Sequence, residues 1–174
     1  MISTRKLKRG FTLIELMVIV AIIAIAMMIA VPSMSSFQRN AELASTTNGL
    51  LASINTARSE AMKRGMNAMV RPIDTTDWTK GWVVFVDVAR DGDRTNAANI
   101  KVATQDALPS YFTVTGFNVG FNASGFATGS PPNGTFVIKR NDLTGSEQTK
   151  ETRKVIVDLT GRVRSCKPAT DANC

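Results

Sequence analysis

The residues of this chain that could do chemistry are a few acids and cations at particular spacings. Glu15 is the single charge in residues 11–31, an otherwise apolar run of 21 residues. Gly10 and Phe11 stand just before it, behind a leader whose Arg5, Lys6, Lys8 and Arg9 are four cations with no anion among them. Near the carboxyl end, Arg162 and Arg164 follow Gly161 at a spacing of two, with Lys167 close behind and the two cysteines, Cys166 and Cys174, alongside. Two guanidiniums side by side can each fork onto phosphate oxygens, a geometry Lys does not match. Asp87, Asp91 and Asp93 gather around Gly92. Aligned on a calcium loop, Ala89 and Ala98 fall at the third and twelfth ligand positions, so the bidentate acid is missing and no metal is expected. The chain has no His. That removes Ser-His-Asp and Cys-His nucleophile systems, imidazole proton shuttles and most zinc sites, and neither a cofactor nor an enzyme activity is expected.

These groups need elements to hold them. A chain of 174 residues with 44% apolar content suits one domain with a buried core. As a helix, residues 11–31 would span about 31 Å at ~1.5 Å per residue, close to the hydrocarbon thickness of a bilayer. The basic flank then sets the amino end on the cytoplasmic side. An ionisable group at membrane depth costs roughly 2.5–3.5 kcal/mol at the centre and less near an end, so Glu15 needs a partner. A secretory signal finds support in the small-residue site Ala24, Ile25, Ala26, yet the apolar run continues to Val31. Neither that reading nor a simple anchor accounts for Glu15.

Pro32 should break or kink the helix. From 33 to 65 the pattern is amphipathic, with Leu43, Leu50, Leu51, Ile54, Ala57, Ala61 and Met62 at three- and four-residue spacing and Gly65 as the stop. This half-helix should lie against a folded head. Residues 68–166 have the texture of strands, with β-branched or aromatic runs at 82–86, 100–103, 111–121, 135–139 and 154–159 separated by turn clusters. The expected fold class is α+β: a long amino-terminal helix packed on an antiparallel β head. The domains expected are a leader 1–10, a membrane or filament-core helix 11–32, and a head 33–174.

Gly10, Phe11, Thr12, Leu13, Ile14, Glu15 and Leu16, behind a short basic leader and before an unbroken apolar helix, resemble the processing signal of type IV pilins and type II secretion pseudopilins. The resemblance implies a prepilin peptidase cutting between Gly10 and Phe11, methylation of the new amino terminus, and a mature chain starting at Phe11. It implies further that Glu15 pairs with the amine of Phe11 in its own or a neighbouring subunit, which sets the register of a filament of other major and minor pilins. The chain would sit in the bacterial inner membrane, amino end cytoplasmic and head periplasmic, before moving to a pilus or pseudopilus. Leu50 and Leu51, the run from Ala57 through Ala61, and Trp78, Gly81, Trp82, Phe85 and Asp87 are similar to the group of minor pilins and pseudopilins that includes FimT, FimU and GspH.

A head outside the cytoplasm places Cys166 and Cys174 where disulfides persist, and they are expected to close a terminal loop. If one last strand runs from 155 to 166, its alternation puts Val155, Val157, Leu159 and Val163 on the core face and Asp158, Thr160, Arg162 and Arg164 on the outer one. Gly161 would leave the backbone open to a ligand. Gly161, Arg162, Val163 and Arg164 resemble the G-R-x-R motif of the pilins that bind DNA in natural transformation. That likeness implies Arg162 and Arg164 as phosphate contacts on double-stranded DNA, with Gly161 and Lys167 supporting them. A purely structural subunit that primes a pilus or pseudopilus fits the same residues. Loss of the leader leaves 17 basic against 14 acidic residues, with the surplus concentrated in 137–168.

Overall fold

A computed structural model describes residues 10–174, with the side chains of 29–33 left aside. The chain divides into two compact units, one up to Arg39 and the other Asn40–Cys174. The boundary falls a few residues beyond the expected 32/33. The expected leader, apart from Gly10, lies outside the described residues.

One helix, α1 (Leu13–Arg64), runs through both units. Pro32 lies within it and does not end it. A proline costs its helix one amide donor and crowds the carbonyl four residues back, and here the turns on both sides stay helical regardless. In the first unit the helix exposes its apolar side chains, Leu13, Ile14, Met17 and Ile22 among them. Among the described residues no helix is long and apolar enough to cross a membrane. The expected span continues into 29–33, beyond that description.

In the second unit α1 buries Leu43, Thr47, Leu50, Ile54, Ala57 and Ala61, alternating steps of four and three along a single stripe. Leu51 is half-buried and Met62 exposed, so both leave the expected core face. Thr47 takes a place there because its hydroxyl donates to the carbonyl of Leu43 at 2.7 Å, which satisfies it inside the core. The helix stops at Gly65 as expected, where the amide of Met66 reaches back to the carbonyl of Ala61 at 3.2 Å.

Eight strands follow: β1 (Ala68–Pro72), β2 (Trp82–Val86), β3 (Ile100–Gln105), β4 (Phe112–Thr115), β5 (Val119–Phe121), β6 (Gly134–Arg140), then a short α2 (Gly145–Lys150), β7 (Arg153–Val157) and β8 (Val163–Cys166). They form two antiparallel four-stranded sheets, in the orders β3-β2-β1-β5 and β4-β6-β7-β8. One core joins the helix stripe to Val70, Trp82 and Val84 of the first sheet and to Phe112, Phe136, Ile138 and Val155 of the second. Trp82 also donates its indole N–H to Ser53 of α1 at 2.9 Å.

Two expected strands are each divided. The run 111–121 becomes β4 in one sheet and β5 in the other. Between them, a side chain at Gly116 would meet the Phe136 ring at 2.1 Å, so only a glycine lets the chain cross there. The run 155–166 becomes a hairpin, with Val157 paired to Val163 and the amide of Asp158 donating to the carbonyl of Arg162 at 2.9 Å.

Candidate functional site: the β7–β8 hairpin and the carboxyl-terminal loop

The hairpin exists because Asp158 to Gly161 closes a tight turn, the amide of Gly161 donating to the carbonyl of Asp158 at 2.8 Å. Gly161 has a φ of +76° and is buried; a Cβ on it would lie 2.0 Å from the carbonyl oxygen of Gly125. Its backbone is therefore packed on a neighbouring turn and is not open to a ligand, contrary to expectation. Arg58 of α1 locks that corner by donating Nε to the carbonyl of Gly125 at 3.0 Å and a terminal nitrogen to the carbonyl of Thr160 at 3.2 Å. Its place among polar residues of an amphipathic helix gave no sign of this role.

The turn also changes which residues share a face. Leu159, expected in the core, is 55% exposed at the tip of the hairpin. Pairing of Ile156 with Arg164 and of Val157 with Val163 puts Ile156 and Arg164 on the outward face and the two valines inward. The next pair, Asp158 and Arg162, returns outward. Arg162 and Arg164 therefore do project to one side, as expected, but from a hairpin arm opposed by Asp158.

Their surroundings differ. Arg162 is exposed, whereas Arg164 is half-buried and donates to the carbonyl of Asn173 at 3.0 Å. Lys154, across the pair of strands, donates to a main-chain oxygen of Cys174 at 3.1 Å. Lys167 lies 3.6 Å from the carboxylate of Glu151, which also meets Arg153 at 3.4 Å. Lys167 and Arg153 thus share one carboxylate, which leaves the group a net positive charge. Cys166 and Cys174 are joined in a disulfide with their Cα atoms 5.7 Å apart. The closed loop carries Asn173 and Cys174 back over β7 and β8.

At the other end of the described chain, Gly10 and Phe11 are exposed and precede the helix. Glu15 accepts hydrogen bonds from the amide and hydroxyl of Thr12 at 3.0 and 2.9 Å, while the Thr12 hydroxyl accepts from the Glu15 amide at 3.2 Å. This is a reciprocal capping box, signalled in the sequence by Thr and Glu three apart at the start of an apolar run.

The acidic group is also satisfied from within. Asp87, buried, accepts the amides of Asp91 and Gly92 at 3.1 and 3.2 Å. The amide of Asp93 and the side chain of Asn96 hold the Asp91 carboxyl below its ordinary pKa, and the amide and hydroxyl of Thr95 do the same for Asp93. Among the described residues no group of three or more His, Cys, Asp and Glu is placed to hold a metal ion. A second polar cluster, which the sequence did not reveal, centres on the buried Arg140. It is forked on Asp142 at 3.0 and 2.5 Å and donates to Asn40 of α1 at 2.6 Å. Close by, Tyr111 donates its hydroxyl to Glu42. These contacts fasten the start of the second unit's helix to β6 and to the entry of β4.

The architecture has counterparts among known proteins. Residues 5–31 match the family model described as the prokaryotic N-terminal methylation motif. The crystal structure of the type IV minor pilin FimU of Pseudomonas aeruginosa (strain PAO1) is similar over 77% of this chain and 95% of that one, at 21% identity and a TM-score of 0.57. The minor pseudopilin EpsH from the type 2 secretion system of Vibrio cholerae is similar over 73% of this chain and 98% of that one, at 16% identity and a TM-score of 0.52. At these identities the likeness is one of fold, a long helix on antiparallel sheets. A further family model, Type II transport protein GspH, matches residues 46–161, from the buried stripe of α1 to the hairpin turn. With about two thirds of its length covered by that match, the chain belongs to the GspH family.

Proposed function

We propose that the chain is a minor subunit of a type IV pilus, placed at or near its tip, that holds double-stranded DNA by its backbone during uptake in natural transformation. Membership of the GspH family makes it a structural subunit of a pilus or pseudopilus and not an enzyme. Before assembly it is held in the inner membrane through 11–32, with the head, 33–174, in the periplasm. A prepilin peptidase cuts it between Gly10 and Phe11, and Glu15 then exchanges its cap for the freed amine of its own or a neighbouring subunit.

One observation carries the DNA reading: Arg162 is exposed at the hairpin tip, with Arg164 and Lys154 on the same outward side. Phosphate contacts position a protein without reading bases, so binding is independent of sequence. No aromatic is interleaved with these cations, which disfavours stacked single strands. The test titrates duplex DNA onto the full chain in non-ionic detergent at two salt concentrations. Arg162→Gln combined with Arg164→Gln should weaken binding severalfold, and salt should weaken the unmodified chain by counterion release. Unchanged affinity in the double variant would refute the assignment.

A second reading, a subunit that binds only other pilins, is favoured by the bonds of Arg164 to Asn173 and of Lys167 to Glu151, which give both cations work within the fold. Deleting the gene separates the two. Lost transformation with pili intact supports DNA uptake; lost pili or lost protein secretion supports the assembly role.

A further inference from the structure

The register of the second sheet brings together cations that are far apart in sequence. On the outward face, Val137 of β6 lies opposite Lys154 of β7, which lies opposite Cys166 of β8. Lys139 is two residues from Val137 on that same face, and it is exposed. Arg164 is two residues from Cys166 in the other direction along the sheet, and Arg162 is two residues further still. With strands about 4.8 Å apart and about 6.6 Å per two residues, Lys139, Lys154 and Arg164 fall on one diagonal in steps of roughly 8 Å, and Arg162 continues from Arg164 along its own arm by roughly 7 Å. The outward strand positions between and beside them are Thr113, Thr115, Thr135, Val137, Ile156 and Cys166. Among the strand positions of this face the one acid is Asp158, at the Arg162 end, and the terminal loop, with Asp171 and the carboxyl group of Cys174, lies over β7 and β8.

We infer that these four residues form a single track for the backbone of one duplex strand, so that the DNA site extends from the hairpin across β7 to β6 and includes Lys154 and Lys139. The inference rests on the DNA reading above and adds to it the path of the ligand and the number of its contacts. A backbone with one charge per about 3.4 Å of axis on each strand offers acceptors all along such a line. The terminal loop shows that the middle of the track can reach a shared row of oxygens. Lys154 and Arg164 bond main-chain oxygens of two consecutive residues, Cys174 and Asn173. Each spends one donor there, out of three on an ammonium and five on a guanidinium, and keeps the others for phosphate.

The experiment measures duplex affinity of the full chain, in non-ionic detergent, between 50 and 200 mM salt. Four contacts predict an affinity loss of about 150-fold across that range, and three contacts about 40-fold, from a slope of about 0.9 per phosphate. Lys139→Gln and Lys154→Gln should each bring the loss down to about 40-fold. Lys150→Gln removes the same charge from α2, where Lys150 pairs with Glu147 at 2.7 Å, and should leave the loss at about 150-fold. If Lys139→Gln behaves like Lys150→Gln while the double arginine variant still weakens binding, the track is refuted and the DNA reading stands. If the chain binds no duplex at all, both fall. Binding to phosphatidylglycerol vesicles but not to duplex, weakened by the same variants, would overturn the proposal in favour of a lipid surface.

Discussion

Gly161→Ala tests whether the hairpin corner is held as described. The substitution meets two obstacles. A left-handed residue with a Cβ costs about 1–2 kcal/mol. The new methyl would also lie 2.0 Å from the Gly125 carbonyl oxygen and 3.0 Å from Nε of Arg58, and relieving such a clash in a packed site costs about 1–3 kcal/mol more. The total expected is about 2–5 kcal/mol. Gly65→Ala supplies the control, because Gly65 has a similar φ of +66° and nothing within 4 Å of the added carbon. It should lose about 1–2 kcal/mol from the backbone alone. Both are measured by urea unfolding of residues 40–174, the unit that contains the whole described core. Arg58→Ala should remove part of the difference, since it deletes the guanidinium that bridges Gly125 and Thr160. Equal destabilisation by the two glycine variants would refute the close-packed corner.

Other expectations follow from the termini and the acidic loop. Gly10→Val should block processing, so mass spectrometry of the variant should find no chain starting at Phe11. Replacing Cys166 and Cys174 with serine should cost up to about 2.5 kcal/mol on loop-closure entropy; hydrogen exchange should show faster exchange at the amides of Thr170, Asp171 and Cys174, which now bond within the loop. Asp91 and Asp93 have lowered folded pKa values. Their contribution is complete above the ordinary carboxylate range near 4 and is lost as pH falls through the lower folded values. Protection of the Thr95 and Asp93 amides, taken relative to intrinsic exchange at the same pH, should therefore fall under acid and stay constant from pH 5 upward.

The helix was readable because burial needs a stripe, and the steps of four and three from Leu43 to Ala61 can be counted in the sequence. Thr47 escaped because a hydroxyl becomes a core residue only once it finds a carbonyl, and the sequence does not display that bond. The strand from 155 to 166 was misread for a related reason. Alternation continues through Asp158, Leu159 and Thr160, so the period alone could not separate a turn from a strand, although Asp158 and Gly161 together mark a turn. The crossing of 111–121 between sheets depends on the Phe136 ring beside Gly116, a contact with a residue twenty positions away. Arg162 and Arg164 were singled out by spacing, and the register of the hairpin puts both toward its outer side. That Arg164 holds the terminal loop, and that Lys139 and Lys154 lie in line with it, depends on pairing across three strands.

The capping box at Thr12 and Glu15 has a consequence for proteolysis. By fixing the first helical residue at Leu13, it keeps the bond between Gly10 and Phe11 outside the helix, two residues ahead of it. Peptidases hydrolyse extended segments, because the amides and carbonyls of a helix are already occupied by one another. A cap moved one turn earlier would wind the same bond into the helix. On the proposed cut between Gly10 and Phe11, Thr12 would work as a boundary marker, separating the part of the chain that is cut from the part that stays whole.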